Sequence, residues 1–76
     1  MIIHVKTFGT IKSLEEGIKP FSLEVAQSTS VSQVIERLNI KDWEIGFVLI
    51  NGNRVTKEFI LKDQDELTLV APLAGG

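Results

Sequence analysis

Cysteine is absent from this sequence and histidine occurs once, so two of the commonest reactive side chains are nearly missing. Without thiols the chain forms no disulfide, and it has no thiolate to bind a metal or to act as a nucleophile. His4, the one histidine, has no cysteine with which to pair, and we interpret it as a surface residue of a strand. We therefore expect neither a metal site nor a side-chain nucleophile.

Long apolar runs and basic stripes are also missing. No apolar segment approaches the roughly 20 residues that span a bilayer, and the opening MIIHVKTFG lacks the pattern of a signal peptide. The net charge is −2, and the basic residues are scattered without interleaved aromatics, so we expect no nucleic-acid partner. The sequence predicts a soluble, cytoplasmic protein with no membrane partner, and we expect a monomer when it is free.

What is present suits one small packed domain, since 43% of the 76 residues are hydrophobic. The first segment, MIIHVKTF, alternates, which predicts a strand with Ile3 and Val5 on one face and His4 and Lys6 on the other. The segment FSLEVA alternates in the same way. Glycine and proline punctuate the connector GTIKSLEEGIKP, so the two segments are predicted to form a hairpin with a long loop.

A change of period after this hairpin predicts one amphipathic helix of about three turns. Ser30 and Gln33 fit a capping box at its start, and Asn39 suits its end. The apolar stripe has the spacing i, i+3, i+4 and i+7, and its members are Val31, Val34, Ile35 and Leu38.

The second half of the sequence predicts a tight hairpin and a last strand. Asn51-Gly52 suits a type I′ turn, so Phe47–Ile50 and Arg54–Thr56 should be antiparallel neighbours. ELTLVAPL predicts the last strand, which should lie in the middle of the sheet, parallel to the first. The fold class is therefore α+β, a mixed four- to five-stranded sheet with one main helix packed on one face.

Strand alternation also predicts a partner surface. If Val48 and Leu69 face the helix, then Leu49 and Val70 face away from it. An exposed apolar patch on the outer face marks a binding site. Its predicted members are Phe8, Phe47, Leu49, Val70, Pro72 and Leu73.

Two further features receive structural interpretations. Trp43 is predicted to cover one end of the core. The acidic residues Asp63, Asp65 and Glu66 lack the spacing and the glycine of a calcium-binding loop, and we interpret them as a solvated turn.

The most specific pattern lies in the last residues, P-L-A-G-G from Pro72 to Gly76, preceded by L-K-D-Q-D-E-L. With the ββαββ order, these motifs resemble the MoaD/ThiS sulfur-carrier family, whose members share the ubiquitin-like β-grasp fold. Phe8-Gly9 and Pro72 are more similar to MoaD, the small subunit of molybdopterin synthase. The short helix and the connector NIKDWEIG are more similar to ThiS. One departure is Gln64, which replaces the glycine of the family's usual Asp-Gly-Asp turn.

The resemblance implies a β-grasp domain over residues 1–70 and a flexible tail over residues 71–76. An E1-like adenylyltransferase would attach AMP from ATP to the Gly76 carboxylate. A sulfur donor of the cysteine desulfurase or rhodanese type would then displace AMP and leave a thiocarboxylate. Gly75 and Gly76 lack Cβ atoms and can therefore pass a narrow channel.

The same resemblance implies a carrier that binds no cofactor itself, ATP being used by its partner. Its sulfur would serve molybdopterin (or tungstopterin) synthesis with a synthase large subunit, whose active site a MoaD-type chain completes. The second possibility is thiamine synthesis with a thiazole synthase. Two other classes stay open: a ubiquitin-like modifier joined through Gly76 to target lysines, and a plain binding domain with a frayed tail.

Overall fold

The computed structural model of the chain describes residues 1–9, 11 and 19–72. Within these residues it contains five strands, one α-helix and one 3₁₀ turn. Residues 10 and 12–18 of the predicted long loop lie outside the described residues, as do residues 73–76. In chain order the elements are β1 (Ile2–Phe8), β2 (Phe21–Glu24), α1 (Val31–Arg37), the 3₁₀ turn (Asp42–Glu44), β3 (Phe47–Ile50), β4 (Asn53–Val55) and β5 (Glu66–Val70).

The strands form one mixed sheet in the order β2-β1-β5-β3-β4. The first and last strands are adjacent and parallel, and the other neighbouring pairs are antiparallel. A parallel pair requires a long crossover, and α1 lies within the connection between β1 and β5. The predicted α+β architecture, with the first and last strands in the middle of the sheet, is confirmed.

The helix begins as the sequence predicts. The Ser30 side chain accepts a hydrogen bond from the Gln33 backbone N–H, and the Gln33 side chain accepts one from the Ser30 N–H, which completes the capping box. Asn39 follows the helix in the left-handed conformation, with φ 59°. The helix has seven residues, which is about two turns rather than the predicted three. Leu38, the last member of the stripe, is consequently only half-buried.

The core lies between α1 and one face of the sheet. Alternation along β3 and β5 buries Val48, Leu67 and Leu69 completely, as the sequence predicts. Burying a side chain of this kind contributes about 1.5–3 kcal/mol to folding. The other fully buried side chains are Ile3, Val5, Val31 and Val34.

Two turns are tied together at one end of the sheet. Asn51 and Gly52 both have positive φ, 51° and 87°, as the predicted type I′ turn requires. The Asn51 side chain donates to Asp65 Oδ1 at 3.1 Å and accepts from the Glu66 N–H at 2.9 Å. Asp65 Oδ2 also accepts from the Lys62 N–H at 2.8 Å. The prediction of a solvated acidic turn is therefore wrong for Asp65, whose buried carboxylate joins the two turns.

Gln64 occupies the position where the family motif has glycine. Its φ of 68° lies in the left-handed region that glycine tolerates best. Its backbone N–H donates to the Ile2 carbonyl at 2.6 Å, and its side-chain oxygen accepts from His4 Nε2 at 2.9 Å. The replacement preserves the glycine-type backbone conformation and adds a side-chain hydrogen bond to β1.

The prediction for Trp43 is wrong. This residue lies on the 3₁₀ turn, and 69% of it is exposed, so it covers no part of the core. The next residue, Glu44, is buried instead, and its carboxylate accepts the Lys41 N–H at 2.9 Å. A short 3₁₀ turn directs successive side chains in different directions, and the sequence pattern does not reveal which of them points inward.

Candidate functional site

The outer face of the sheet, which points away from α1, carries an apolar row across three strands. Phe8 of β1 pairs with Val70 of β5, and Val70 in turn pairs with Phe47 of β3. Leu49 lies two residues along β3 from Phe47 and therefore shares this face. We call Phe8, Val70, Phe47 and Leu49 the apolar corner.

Exposure is uneven across the apolar corner. Phe8 is 62% exposed, which is unusual for an aromatic side chain in a strand next to the centre of a sheet. Phe47, Leu49 and Val70 are half-buried. The Arg54 guanidinium lies 4.5 Å from the centre of the Phe47 ring, in the geometry of a cation–π contact. The corner therefore presents Phe8 to solvent above partly covered apolar neighbours.

The base of the predicted tail lies beside this corner. The Ala71 N–H donates to the Phe8 carbonyl at 2.9 Å, and the Gly46 N–H donates to the Val70 carbonyl at 2.7 Å. The sheet hydrogen bonds thus extend one residue into the segment predicted as tail. Pro72, which follows, is exposed and has no backbone N–H to donate.

Beyond the apolar corner, the outer face is mostly polar. Thr68 is buried there, because its pairing partners Lys6 and Leu49 flank it on the neighbouring strands. His4 lies on the same face, half-buried, with Nδ1 3.0 Å from Ser22 Oγ. Lys6 Nζ lies 4.0 Å from Glu66 Oε1, a loose surface pair of little energetic weight. Apart from Ile2, which is half-buried at the start of β1, the apolar residues of the outer face therefore lie on the side of the sheet where the tail begins.

Within the described residues no cluster of His, Cys, Asp and Glu could hold a metal ion. His4, the one histidine, has Ser22 and Gln64 as hydrogen-bond partners. No helix in the part of the chain that the structure describes is long and apolar enough to cross a membrane.

The structure brings five of the six predicted partner-binding residues to one side of the sheet. Phe8 and Pro72 are exposed, whereas Leu49 and Val70, which the sequence predicts to be exposed, are half-buried. Leu73, Gly75 and Gly76 lie outside the described residues. The face assignment of β3 is confirmed by its burial pattern, in which Val48 and Ile50 are buried and alternate with the half-buried outer residues.

Sequence reasoning missed several residues at this site. Arg54 received no role, although its place across the hairpin from Leu49 follows from the Asn51-Gly52 turn. Gly46 also received none, and Gly9 was interpreted only as part of the connector and of the MoaD-like Phe8-Gly9 pair, although each lies against the base of the tail. A signal was available for Gly46, because a glycine directly before an apolar strand often marks a close backbone approach.

Comparisons with known structures place the fold. SAMP1 from Haloferax volcanii is 21% identical over the whole of both chains, with a TM-score of 0.75. A second structure, of small archaeal modifier protein 1 from H. volcanii, is 19% identical with a TM-score of 0.73, over 95% of this chain and 98% of that one.

A complex of subunits 1 and 2 of molybdopterin-converting factor from Helicobacter pylori 26695 contains a chain that is 22% identical over the whole of both chains, with a TM-score of 0.67. At these identities the likeness establishes the fold alone, and it confirms the predicted ubiquitin-like β-grasp.

No curated protein sequence matches the chain. The sequence model of the ThiS family does match it, over residues 5–76. Because this match covers almost the whole chain, the protein belongs to the ThiS family, within the MoaD/ThiS group of ubiquitin-like sulfur carriers.

Proposed function

We propose that this protein carries sulfur as a thiocarboxylate on Gly76, after an E1-like adenylyltransferase has adenylated the Gly76 carboxylate. The observation that supports this most is the extent of the family match, which runs through the Gly75-Gly76 pair. The proposal assigns the described domain to docking and the segment after Pro72 to chemistry.

The residue types suit an adenylation reaction. An α-carboxyl group has an ordinary pKa of about 3.3–3.7, so it is ionised and nucleophilic at neutral pH. Its oxygen attacks the α-phosphorus of ATP, pyrophosphate leaves, and an acyl-adenylate forms. The outer sulfur of a persulfide on a donor of the cysteine desulfurase or rhodanese type then attacks the acyl carbon, and AMP leaves. A thiol reduces the resulting acyl disulfide and forms a disulfide with the donor, so that a thiocarboxylate remains and sulfur replaces one carboxylate oxygen. The carrier itself needs no general acid, no base and no metal for these steps.

The geometry of the outer face supports a division between docking and delivery. The apolar corner lies beside Pro72, where the chain leaves the sheet. The five residues from Pro72 to Gly76 reach at most about 17 Å when extended. A partner that binds the corner can therefore receive Gly76 in an active site at about that distance. Within the corner, Phe8 supplies the exposed aromatic anchor that protein interfaces favour.

The pathway that we propose is molybdopterin (or tungstopterin) synthesis. It is supported by the H. pylori structural neighbour, which is a subunit of molybdopterin-converting factor in complex with a second subunit. By analogy, the partner of this chain is a synthase large subunit. The carrier is consumed and regenerated and is not an enzyme alone, although it would complete the active site of that subunit.

Two alternatives each rest on an observation. The name of the matching family favours a carrier for thiamine thiazole synthesis, with a thiazole synthase as partner. The likeness to small archaeal modifier protein 1 favours a modifier that is conjugated through Gly76 to lysines of other proteins. All three functions begin with adenylation of the same carboxylate. The two sulfur carriers then form the same thiocarboxylate and differ in which synthase takes its sulfur, whereas in a modifier a lysine amine displaces AMP and forms an amide.

The activation chemistry is tested by reconstitution with the E1-like adenylyltransferase of the same organism, ATP, a persulfide donor and a thiol reductant. We expect the intact mass to rise by the difference between sulfur and oxygen, with the change located at Gly76. Deleting Gly76 leaves a carboxylate on Gly75 that is roughly 3.3–3.6 Å short, and a misplacement of this size costs about a hundredfold or more in rate. A truncated chain that reacts at the normal rate would show that tail length is not recognised.

The pathway is tested by deleting the gene and assaying both cofactors. Loss of molybdopterin-dependent activity without a thiamine requirement supports the proposal. A thiamine requirement alone assigns the chain to thiazole synthesis. Adducts joined through Gly76 to lysines, with both cofactor pathways intact, assign it to protein modification.

A further inference from the structure

Two glycines from different parts of the chain enclose the point where the tail leaves the sheet. Gly9 directly follows β1, and Gly46 directly precedes β3. Gly9 lies against Ala71, and Gly46 lies against Ala71 and Pro72, the residues that follow β5. This paired contact has no counterpart at Gly52, where no heavy atom of the described residues lies within 4 Å of the position of an added Cβ.

Gly46 is close to the tail for reasons of space rather than of backbone conformation. Its φ is not in the left-handed region, so any residue could adopt its backbone conformation. A Cβ atom built on it, however, would lie 3.0 Å from Pro72 Cα, 3.2 Å from Pro72 N and 3.3 Å from the Ala71 carbonyl oxygen. These neighbours are backbone or ring atoms and cannot rotate away, so a side chain at position 46 requires the tail base and the start of β3 to move apart by a few tenths of an ångström.

Gly9 restricts the other side of the same segment. A Cβ built there would lie 3.0 Å from Ala71 Cβ, and the φ of Gly9 is +81°, which other residues rarely adopt. The Ala71 N–H donates to the carbonyl of Phe8, directly before Gly9, and the Gly46 N–H donates to the carbonyl of Val70. The tail base is therefore held by one hydrogen bond on each side, with a glycine next to each bond.

We infer that Gly9 and Gly46 are positioning residues, which set the direction in which the chain leaves the sheet and so where Gly76 is delivered. This inference rests on the proposed function. Four residues, 73–76, separate Pro72 from the proposed carboxylate, a reach of up to about 13–14 Å. A shift of about 0.3 Å at Pro72 turns the direction of the chain there by about 5°, because consecutive Cα atoms are about 3.8 Å apart, and over that length such a turn displaces an extended terminus by about 1 Å.

Displacements of this size matter for the reaction but not for docking. Reacting atoms must approach to about 3–3.5 Å, and a 1 Å misplacement can cost about a hundredfold in rate. The apolar corner lies on β1, β3 and β5 and does not include Gly46. Moving the tail base should therefore lower the catalytic rate constant of adenylation while leaving the affinity of the activating enzyme for the domain unchanged.

The test is a variant series assayed with the E1-like adenylyltransferase of the same organism and ATP. For Gly46→Ala we expect kcat of adenylation to fall at least about tenfold, with KM for the carrier unchanged and a normal thermal melt. Gly52→Ala is the matched control. Its backbone matches that of Gly9 rather than that of Gly46: it places alanine at a φ of +87°, close to the +81° of Gly9, with no atom of Ala71 or Pro72 within 4 Å of the new Cβ, and it should adenylate at the wild-type rate.

Gly9→Ala allows a rescue experiment that separates contact from backbone strain. Part of the kcat loss expected for Gly9→Ala comes from the contact of the new side chain with Ala71 Cβ. Adding Ala71→Gly to the same chain removes that contact. The double variant should therefore recover part of the lost kcat while keeping the strain at position 9. This pair also provides the answer if Gly46→Ala does not fold.

Each outcome decides the inference. A folded Gly46→Ala with normal kcat, a rise in KM instead of a fall in kcat, or a double variant with no recovery overturns it. If the wild-type chain is adenylated in the same assay, these results leave the proposed function intact. A wild-type chain that is never adenylated overturns the proposed function, and the inference with it.

Discussion

The two faces of the sheet come from the same strands but differ in how far their side chains are buried. On the inner face, against α1, Leu67 and Leu69 are completely buried. On the outer face their neighbours Leu49 and Val70 are half-buried, and Phe8 is mostly exposed. Strand alternation places both sets in the same short segments, so one residue of register separates the buried core from the proposed docking surface. The inner face should therefore respond to substitution through unfolding, and the outer face through binding.

The largest expected effect is on the inner face. Leu67→Ala should lower the free energy of unfolding by about 2–5 kcal/mol, because it leaves a cavity in a fully packed site. Leu49→Ala, the same change on the outer face, should cost clearly less, because Leu49 is half-buried. Urea unfolding measures both. Equal losses at the two positions would mean that the two faces do not differ in the way described.

The next effect is on recognition by the outer face. Leu49→Glu should weaken binding to the activating enzyme or to the synthase partner by about tenfold or more, as expected for a residue in the centre of an interface. The fold should survive, because Arg54 lies directly across the hairpin and can pair with the new carboxylate.

Ser22→Glu is the control for charge. It adds the same charge to the same face, on the far edge strand β2, and should bind normally in a titration calorimeter. If both variants bind equally well, the apolar corner is not the docking surface. If Leu49→Glu unfolds the domain, Leu49 belongs with the inner-face residues.

A smaller effect is expected at Gln64, where left-handed strain and a hydrogen bond oppose each other. Gln64→Gly relieves the backbone strain at a φ of 68°, which costs about 1 kcal/mol or more. The same change loses the hydrogen bond to His4 Nε2, which contributes about 0.5–1.5 kcal/mol. The net change in unfolding free energy should be small. In a His4→Ala background the hydrogen bond is already absent. There Gln64→Gly should change the free energy of unfolding more favourably, by about the contribution of that bond. An identical change in both backgrounds would show that the bond contributes nothing.

The smallest effect is on acid stability. The Ile2 N–H donates to Asp63 Oδ1 at 2.8 Å, and this backbone bond is the main cause that holds the pKa of Asp63 below its ordinary value of 3.8. A lowered folded-state pKa contributes stability above the unfolded pKa, and that stability is lost as the pH falls through the folded pKa. Between pH 5 and the folded pKa of Asp63, the free energy of unfolding should therefore fall slightly less steeply with falling pH in Asp63→Asn than in the wild type. A steeper fall in the variant would contradict this prediction.

Much of the fold could be predicted from the sequence because its local signals agree. The period change after Ala26, the Ser30–Gln33 capping box and the Asn51-Gly52 turn each define an element without reference to the others. Alternation then assigned Val48 and Leu69 to the core correctly. These features depend on spacing, which a sequence displays directly.

The rest depends on contacts between distant segments. Asp65 is buried because Asn51 meets it across two turns, and Trp43 is exposed because Glu44 points inward instead. Gly46 lies 26 residues before Pro72 in sequence, so its contact with the tail base appears only once β3 and β5 are paired. The sequence could therefore predict the outer face and the tail of the candidate site. It could not predict that Gly9 and Gly46 lie against the base of the tail.

The central claim is that the Gly76 carboxylate becomes a thiocarboxylate, and the most direct test is the intact mass of the protein isolated from its own cells. Extraction under conditions that preserve thiocarboxylates, followed by fragmentation, locates the modification. We expect a population that ends at Gly76 and carries sulfur in place of one terminal oxygen, alongside the unmodified carboxylate form. A protein that ends at another residue, or whose Gly76 is found only as carboxylate under conditions that demand cofactor synthesis, would contradict it.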